Sequence, residues 1–551
     1  MDGPIDRPTE RSFGMIPPPV AVESYLESAA AHWPDKLALD FYDQRFTFGQ
    51  LYDLALRVAA GLQARGVCAG DRVGLHLPNS PHYVISLFGV LLAGGVVVNL
   101  SPLAAARALR RQVEGSGAVA VLSLDAPGVL DRIAALAGKG GLKTLVVCRL
   151  DDLGPAPAVT GFSARGRMPD GAIRFTELID NDGNPSAPKR GDLTREPAVL
   201  QFTGGTTGEP KAATLTHANF AAAMESYRQN GWEFDLPHGS TRRILVVAPM
   251  FHIVALTCSV LQSAATGATL IPQLRFDADR AIGAIANKGA NVFSGVPAMY
   301  AMLVRHRRAA ELSTLRYCFS SGAPFPPEVL ERFNAITGIT PRSGYGLTET
   351  TTAGASYPED YVVRPGSVGV PSPYAVVEIR DVETGSRVLP RGEPGEVCIG
   401  GPQVMLGYWN RPDATAEAIR GGRFHTGDIG YFDPDGFLLL IDRKKDMILT
   451  GGFNVFPATV EAALRRHPAI DEAAVIGSPH PILGQGVKAF VTLAEGETAP
   501  SLRDLRVFLS DKLASYETPV ALEVRDSLPK TDVGKPSRAA LAEEDAAKRR
   551  R

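Results

Sequence analysis

The sequence predicts an α/β protein made of a large domain of helix-covered sheets and a small α+β domain, and three observations carry that prediction. Residues 1–120 alternate helical and extended hydrophobic patterns, as in a largely parallel sheet covered by helices. At 551 residues the chain exceeds what one hydrophobic core closes. Beyond the charge cluster Asp442-Arg443-Lys444-Lys445-Asp446 the helix and strand signals start afresh. The expected division is therefore 1–442 and 443–551, with the boundary near 443–446.

The elements follow in order. Val22, Tyr25, Leu26, Ala29 and Trp33 share one helical face, and Pro34 ends that helix. Thr47 with Gln50 three residues on is a capping-box pattern; it opens a helix whose Leu51, Leu54, Val58 and Leu62 form a stripe before Gly66. Leu75-His76-Leu77 reads as strand, and His76 and His82 are read as structural because neither belongs to a catalytic constellation. Residues 83–100 form an uncharged run of 18, at the lower limit for a membrane span. Gly94-Gly95 breaks it into a helical half ending near Leu92 and the β-branched Val96-Val97-Val98, so a buried helix and a core strand are expected rather than a span.

Residues 152–196, rich in Pro, Gly, Asp and Ser, read as an exposed connection and a joint between subdomains. After the charge cluster, 455–464 reads as helix, 473–476 and 487–493 as strands, and Leu502, Leu505, Phe508, Leu509 and Leu513 as another helical stripe. The terminal Lys548-Arg549-Arg550-Arg551 reads as a solvated tail.

Fifty-seven Lys and Arg against 59 Asp and Glu leave a formal charge of −2, so no global field draws nucleic acid or an anionic membrane. Any anion site has to be local. The five cysteines, Cys68, Cys148, Cys258, Cys318 and Cys398, show no metal-type spacing and fit a reducing cytoplasm. The N-terminus lacks the basic and apolar regions of a secretory signal.

The richest local signal is Phe202-Thr203-Gly204-Gly205-Thr206-Thr207-Gly208-Glu209-Pro210-Lys211. Its glycines let backbone N–H groups approach an anion, its threonines add hydroxyl donors, and Lys211 brings a point charge, which together suit polyphosphate. It is not a Walker A loop, because no Gly-Lys-Ser/Thr tripeptide closes it. A Gly/Thr-rich surface loop is common, and the segment gains weight only from its company. Phe319-Ser320-Ser321-Gly322-Ala323-Pro324, Gly344-Tyr345-Gly346-Leu347-Thr348-Glu349-Thr350, Thr426-Gly427-Asp428 and Leu528-Pro529-Lys530-Thr531-Asp532-Val533-Gly534-Lys535 follow in fixed order.

Together these five motifs resemble the adenylate-forming superfamily of acyl-CoA synthetases, luciferases and peptide-synthetase adenylation domains, over about residues 24–541. The Thr-Gly-Gly-Thr-Thr-Gly wording, with Gly204 where many members have serine, is similar to bacterial long-chain fatty acyl-CoA synthetases. The resemblance implies a β-rich subdomain in the N-terminal domain and a mobile C-terminal domain swivelling at Lys445. It implies a reaction in which a carboxylate attacks the α-phosphorus of ATP, releasing pyrophosphate and leaving an acyl-adenylate that a thiol then cleaves, with ATP, Mg2+ and CoA as cofactors. No protein nucleophile is required, in keeping with the absence of a Gly-x-Ser-x-Gly elbow.

By resemblance, Thr203, Gly204, Gly205, Thr206, Thr207, Gly208 and Lys211 hold the β- and γ-phosphates. Glu349 is the Mg2+ ligand and Thr348 contacts the α-phosphate, a hard oxygen ligand being suited to that ion. Ala323, Pro324 and Tyr345 sandwich adenine, Gly322, Gly344 and Gly346 also belong to the ATP/AMP site, and Asp428 and Arg443 hold the ribose. Lys535 is the adenylation lysine, bridging substrate carboxylate and α-phosphate; Lys530, five residues earlier, is open between a part in the chemistry and a role in solubility or loop structure alone. Gly451 and Gly452 admit the pantetheine arm of CoA after the swivel.

For the acid, Phe251-His252 is the useful pair. Amino-acid-activating members usually carry an aspartate after that aromatic, whereas aromatic-His resembles fatty acyl and aryl CoA ligases, with His252 at the carboxylate end of the pocket. Val254 and Gly295 are expected on the acyl wall. Ala212, Gln485 and Glu517 depart from the usual glycine, glutamate and lysine at those places, which bears on loop motion and CoA docking more than on adenylation. The resulting expectation is an ATP-dependent acyl-CoA ligase for a medium- or long-chain fatty acid, with no nucleic-acid partner and no membrane span; peripheral membrane association and a homodimer stay open. Its rivals are an acyl-AMP ligase loading a carrier protein, a dicarboxylate or aryl-acid CoA ligase, and a non-catalytic nucleotide- or lipid-binding protein.

Overall fold

The computed structural model describes residues 15–16, 18–138, 141–155, 168–203, 210–231, 241–320, 325, 327–359, 361–364, 366–451, 453–530 and 536–550. The chain forms two compact units, residues 1–377 with 399–424, and 378–398 with 425–551. Compactness thus assigns 425–442 to the C-terminal unit, a division distinct from the expected hinge near 443–446.

The first unit holds two sheets. In the eight-stranded sheet, Arg72–His76, Val96–Asn99, Ala118–Leu124, Thr144–Cys148, Ile173–Arg174 and Pro197–Phe202 run parallel, and Ala212–Thr216 and Gly407–Tyr408 extend it antiparallel. The second, nine-stranded sheet has a parallel centre of Thr269–Pro272, Arg243–Val246, Val292–Gly295, Tyr317–Ser320 and Arg342–Tyr345. One contiguous core includes side chains of both sheets and of the helices Phe48–Ala64 and Pro81–Leu92, which therefore form a layer common to the two.

Local signals explain these elements. The helix Phe48–Ala64 begins at a reciprocal cap in which Thr47 Oγ1 accepts from the Gln50 N–H at 3.2 Å and Gln50 Oε1 accepts from the Thr47 N–H at 2.9 Å. Its Leu51, Val58 and Leu62 are buried, with Leu54 half-buried. The uncharged run is a wholly buried helix, Pro81–Leu92, a turn at Gly94 with φ of +82°, and the buried strand Val96–Asn99. No helix among the described residues is long and apolar enough to cross a membrane.

Two expectations need correction and a third gains detail. Residues 152–196 do not divide one sheet from another: Thr144–Cys148 before them and Pro197–Phe202 after them lie in the same sheet, Ile173–Arg174 adds a strand to it, and Arg190 turns inward to bond Glu23 and Glu196. The C-terminal tail keeps Lys548 and Arg549 exposed, as expected of a solvated segment, and is helical over Arg538–Arg550, with Lys548 on Glu523 at 2.5 Å and Arg549 on Ser478 and Asp545. Residues 453–455 are a strand and the following helix starts only at Pro457, whose fixed φ suits a first turn.

A five-stranded sheet involving Val376–Arg380, Gly395–Gly400, Arg423–Phe432 and Leu438–Arg443 supplies the β-rich portion. The C-terminal α+β region packs Pro457–Leu464 and Leu502–Leu509 on a sheet dominated by the antiparallel pair Ile470–His480 and Gly484–Leu493.

Buried imidazoles give the first unit a pH dependence. Burial, then the Arg132 charge, pushes His76 down to about 4; burial, then Arg190, pushes His217 down to about 3. Both are neutral when folded, whereas an unfolded histidine protonates near 6.5, so the unfolded chain takes up more protons below that pH. Their contribution to stability is complete above about 6.5 and is lost as pH falls toward 4 and 3, at about 1.4 kcal/mol per pH unit for each. Calorimetry at pH 7, 6 and 5 should show the unfolding temperature of this unit falling, with a shallower slope in His217→Gln.

Candidate active site

In the nine-stranded sheet, Gly295 pairs in register with Ser320, and Ser320 with Ser343 on the strand that ends at Tyr345. The carboxyl ends of these parallel strands therefore line up, and Phe251-His252 follows the neighbouring strand Arg243–Val246. In open α/β sheets that edge is where ligands bind. Gly322, Ala323 and Pro324, just past Ser320, lie outside the described residues.

The phosphate-loop motif is a hairpin connection. Phe202 pairs with Ala212 across the antiparallel strands, and the Thr203 N–H donates to the Lys211 carbonyl at 2.9 Å, closing the base of the loop. Gly204, Gly205, Thr206, Thr207 and Gly208 lie outside the described residues. Lys211 Nζ sits 5.1 Å from the centre of the Tyr408 ring, and Tyr408 Oη donates to Glu349 Oε1 at 2.7 Å. Lys211 and Glu349, 138 positions apart in sequence, thus meet on one tyrosine that sequence reasoning missed. Its only sequence trace was an aromatic after Gly407, which resembles any strand residue.

Glu349 is buried in the short 3-10 turn Thr348–Thr350, with Thr348 half-buried at its start. The turn is braced by Thr350 Oγ1, which accepts from the Leu347 N–H, and by the Met405 N–H, which donates to the Glu349 carbonyl at 2.8 Å. Next come Thr351 and Thr352, at φ of +46° and +67°, a conformation β-branched residues rarely adopt. Thr352 is held by Tyr227 and by Thr257 at 3.0 Å. Gly346 has a packing reason too, since a Cβ there would lie 2.1 Å from the Thr352 carbonyl oxygen. Gly344 and Gly295 similarly face the rings of Phe319 and Phe293, at 2.9 and 2.8 Å from an added Cβ.

A buried polar chain sets Phe251. Tyr83 donates to Asn99 at 2.9 Å, Asn99 to Gln201 at 2.8 Å, and Gln201 to the Phe251 carbonyl at 2.8 Å, while Asn79 accepts from the Met250 N–H at 2.7 Å. His252 is reachable by solvent yet closely surrounded by protein, and that loss of hydration lowers its pKa, so it is neutral at pH 7. Val254 is half-buried and leads into the π-helical turn Leu256–Leu261, an irregularity frequent at functional sites.

In the second unit, Asp428 and Arg443 are paired directly across adjacent strands, with Arg443 Nε 2.7 Å from Asp428 Oδ1. Asp428 is buried and its N–H donates to Thr426 Oγ1. Lys445 is exposed in the 3-10 turn Lys444–Asp446. Gly451, at φ of +57°, turns the hairpin between Ile448–Thr450 and Phe453–Val455; Gly452 lies outside the described residues. So does Lys535, although the ends of its loop are tied by the bridge between Lys530 and Pro536 and by the Ser537 N–H on the Pro529 carbonyl. Lys530 itself pairs with Glu472 at 2.6 Å.

Glu396, Cys398 and His425 bring three ligand-type atoms within 4.8 Å of one another. Lys444 Nζ already lies 2.9 Å from Glu396 Oε2, and although burial alone would raise the pKa of this carboxyl, Lys444 and His425 outweigh it. The cluster carries its own cation and is assigned no metal.

A parallel-sheet edge with a lysine-closed hairpin and a buried carboxylate beside it, joined in the chain to a separate α+β unit, defines a nucleotide-handling α/β protein. The chain belongs to the AMP-binding enzyme family, which matches residues 26–409, and the family's C-terminal domain matches 459–535. It is 36% identical over 543 residues to a long-chain-fatty-acid–CoA ligase of Bacillus subtilis, covering 96% of this chain and 95% of that one. A feruloyl-CoA synthase of Amycolatopsis is 35% identical over 492 residues, 89% of this chain and 92% of the relative. Among solved structures, ATP-bound MatB from Rhodopseudomonas palustris superposes with a TM-score of 0.82 at 29% identity, over 95% of this chain and 99% of that one.

Proposed function

We propose that this protein is an ATP-dependent acyl-CoA ligase that activates a long-chain fatty acid through an acyl-adenylate, releasing AMP and pyrophosphate. The observation that carries the reading is the meeting of Lys211 and Glu349 on Tyr408, which puts a phosphate-type cation and a metal-type carboxylate in one place beside the strand edge. Family membership and nearly full-length likeness to a long-chain-fatty-acid–CoA ligase support it. A location in the cytoplasm accords with free cysteines, three of the five buried.

The roles follow from the chemistry. Thr203, Lys211 and the loop between them receive the terminal phosphates, and neutral His252 lines the carboxylate end of the acid pocket without adding charge. Glu349 fits Mg2+ as a buried, braced oxygen ligand, and the ion when bound screens the triphosphate. Asp428 and Arg443, pre-paired, hold the ribose hydroxyls. Lys535 offers its ammonium to the carboxylate and α-phosphate, and Lys445 is the pivot that withdraws it so that CoA can pass Gly451. Alignment and charge stabilisation are the whole catalytic task, since the nucleophile is the substrate itself.

Incubation with ATP, Mg2+, CoA and a panel of monocarboxylic, dicarboxylic and aromatic acids, read by mass spectrometry for AMP and thioester together, tests this. CoA-dependent thioester from long-chain monocarboxylic acids is expected. Acyl-adenylate without thioester would instead indicate carrier-protein loading. The likeness to feruloyl-CoA synthase makes an aromatic acid the second reading, which the same panel decides.

A further inference from the structure

We propose that Tyr408 is a positioning residue of the adenylation site, holding the Glu349 carboxylate and the Lys211 ammonium in one fixed arrangement for the metal-bound triphosphate. The inference rests on the reading above that Glu349 is the Mg2+ ligand and Lys211 a phosphate contact.

Tyr408 is held by its backbone as well as by its ring. It pairs with Ala213 in the eight-stranded sheet, next but one to Lys211, and its N–H donates to Thr415 Oγ1 at 2.8 Å. Gly407 before it, at φ of +151°, lies so close to Thr415 that an added Cβ would be 2.7 Å away. The chain leading in is anchored by Asn219, whose amide donates to the Pro402 and Val404 carbonyls at 2.7 and 2.8 Å, and by Met405 on the Glu349 carbonyl. One rigid segment therefore bonds both the backbone and the side chain of Glu349.

The geometry assigns two jobs to one ring. Its hydroxyl donates to Oε1, which fixes the carboxylate plane and directs the remaining lone pairs; a bond of this kind beyond a metal ligand commonly sets metal affinity by 10- to 100-fold. Its face receives the Lys211 ammonium, keeping that flexible side chain over the site and away from Glu349, where a direct lysine–carboxylate pair would compete with the ion.

Tyr408→Phe removes the hydroxyl and keeps the ring face, Tyr408→Leu removes both, and Glu349→Gln reports on the underlying reading. AMP formation would be measured against Mg2+ at saturating ATP, and MgATP binding by calorimetry without acid, so that one readout needs no turnover. Y408F is expected to raise the half-saturating Mg2+ concentration about 10-fold or more while regaining wild-type kcat at high Mg2+. Y408L should show the same shift plus a rise in KM for ATP of roughly 2- to 5-fold. An unaltered Mg2+ dependence in both variants, or an equal loss of rate at every Mg2+ concentration, overturns the proposal. If E349Q retains wild-type Mg2+ dependence, Glu349 is not the ligand, and that failure is distinct from E349Q losing it while Y408F does not.

Discussion

Lys535→Ala is expected to lower adenylation about 100- to 1,000-fold while leaving ATP binding nearly unchanged. An ammonium that bridges two anions acts most strongly where their negative charges are forced together, which is in the transition state rather than in the ATP complex. The loop that bears it is tied at both ends, by the Lys530–Pro536 bridge and the Ser537–Pro529 hydrogen bond, and the substitution touches neither tie. Thermal stability should therefore be conserved. Pyrophosphate release without CoA, ATP affinity by calorimetry, and thioester formation from preformed acyl-adenylate separate the steps; the last should retain most of its rate. Wild-type adenylation in this variant would remove Lys535 from the mechanism.

Arg538→Ala should destabilise the C-terminal unit by about 3–5 kcal/mol, the usual consequence of orphaning buried carboxylates. Its guanidinium is bidentate on Glu461, at 2.8 and 2.7 Å, and reaches Asp442 at 2.5 Å and Asp446 at 3.4 Å. Asp442 and Glu461 are only 4% and 10% exposed, so water cannot replace the lost cation. Glu461 is also committed to the Val475 N–H at 2.9 Å, and Asp442 to the Ala458 N–H at 2.6 Å, which ties this one residue to a strand and to a helix start. Arg538→Lys keeps the charge but not the planar fork and should recover only a fraction of the loss. Urea unfolding of both variants would give the values; an Ala variant as stable as wild type would mean the carboxylates find other partners.

The sheets and helices are legible in the sequence where periodicity and caps coincide. Thr47 and Gln50 mark a helix start that the structure reproduces atom for atom, and Gly94 marks where a helix yields to a strand. Residues 152–196 look like a joint because composition reports exposure and turn content but not which sheet the flanking strands enter. The basic tail is exposed as the run of like charges suggests, but its helix and its partners Ser478 and Glu523, far away in sequence, are not visible there.

At the site, motifs name Lys211 and Glu349 because glycines, hydroxyls and charges crowded at short spacing are visible in a one-dimensional string. Tyr408, the Asn79, Asn99 and Gln201 chain behind Phe251, and the left-handed Thr351 and Thr352 are invisible there, each being an ordinary residue type whose use depends on its neighbours in space.

The sequence by itself determined the fold class, the organisation in two units and the chemical types offered to a phosphate-rich ligand, since hydrophobic period, capping residues and local charge act over a few positions. Only the tertiary structure decided which of those groups meet and what holds them still. A hydrogen bond between Tyr408 and Glu349 spans 59 positions, and its existence depends on sheet registers and on the burial that makes an unpaired carboxylate costly.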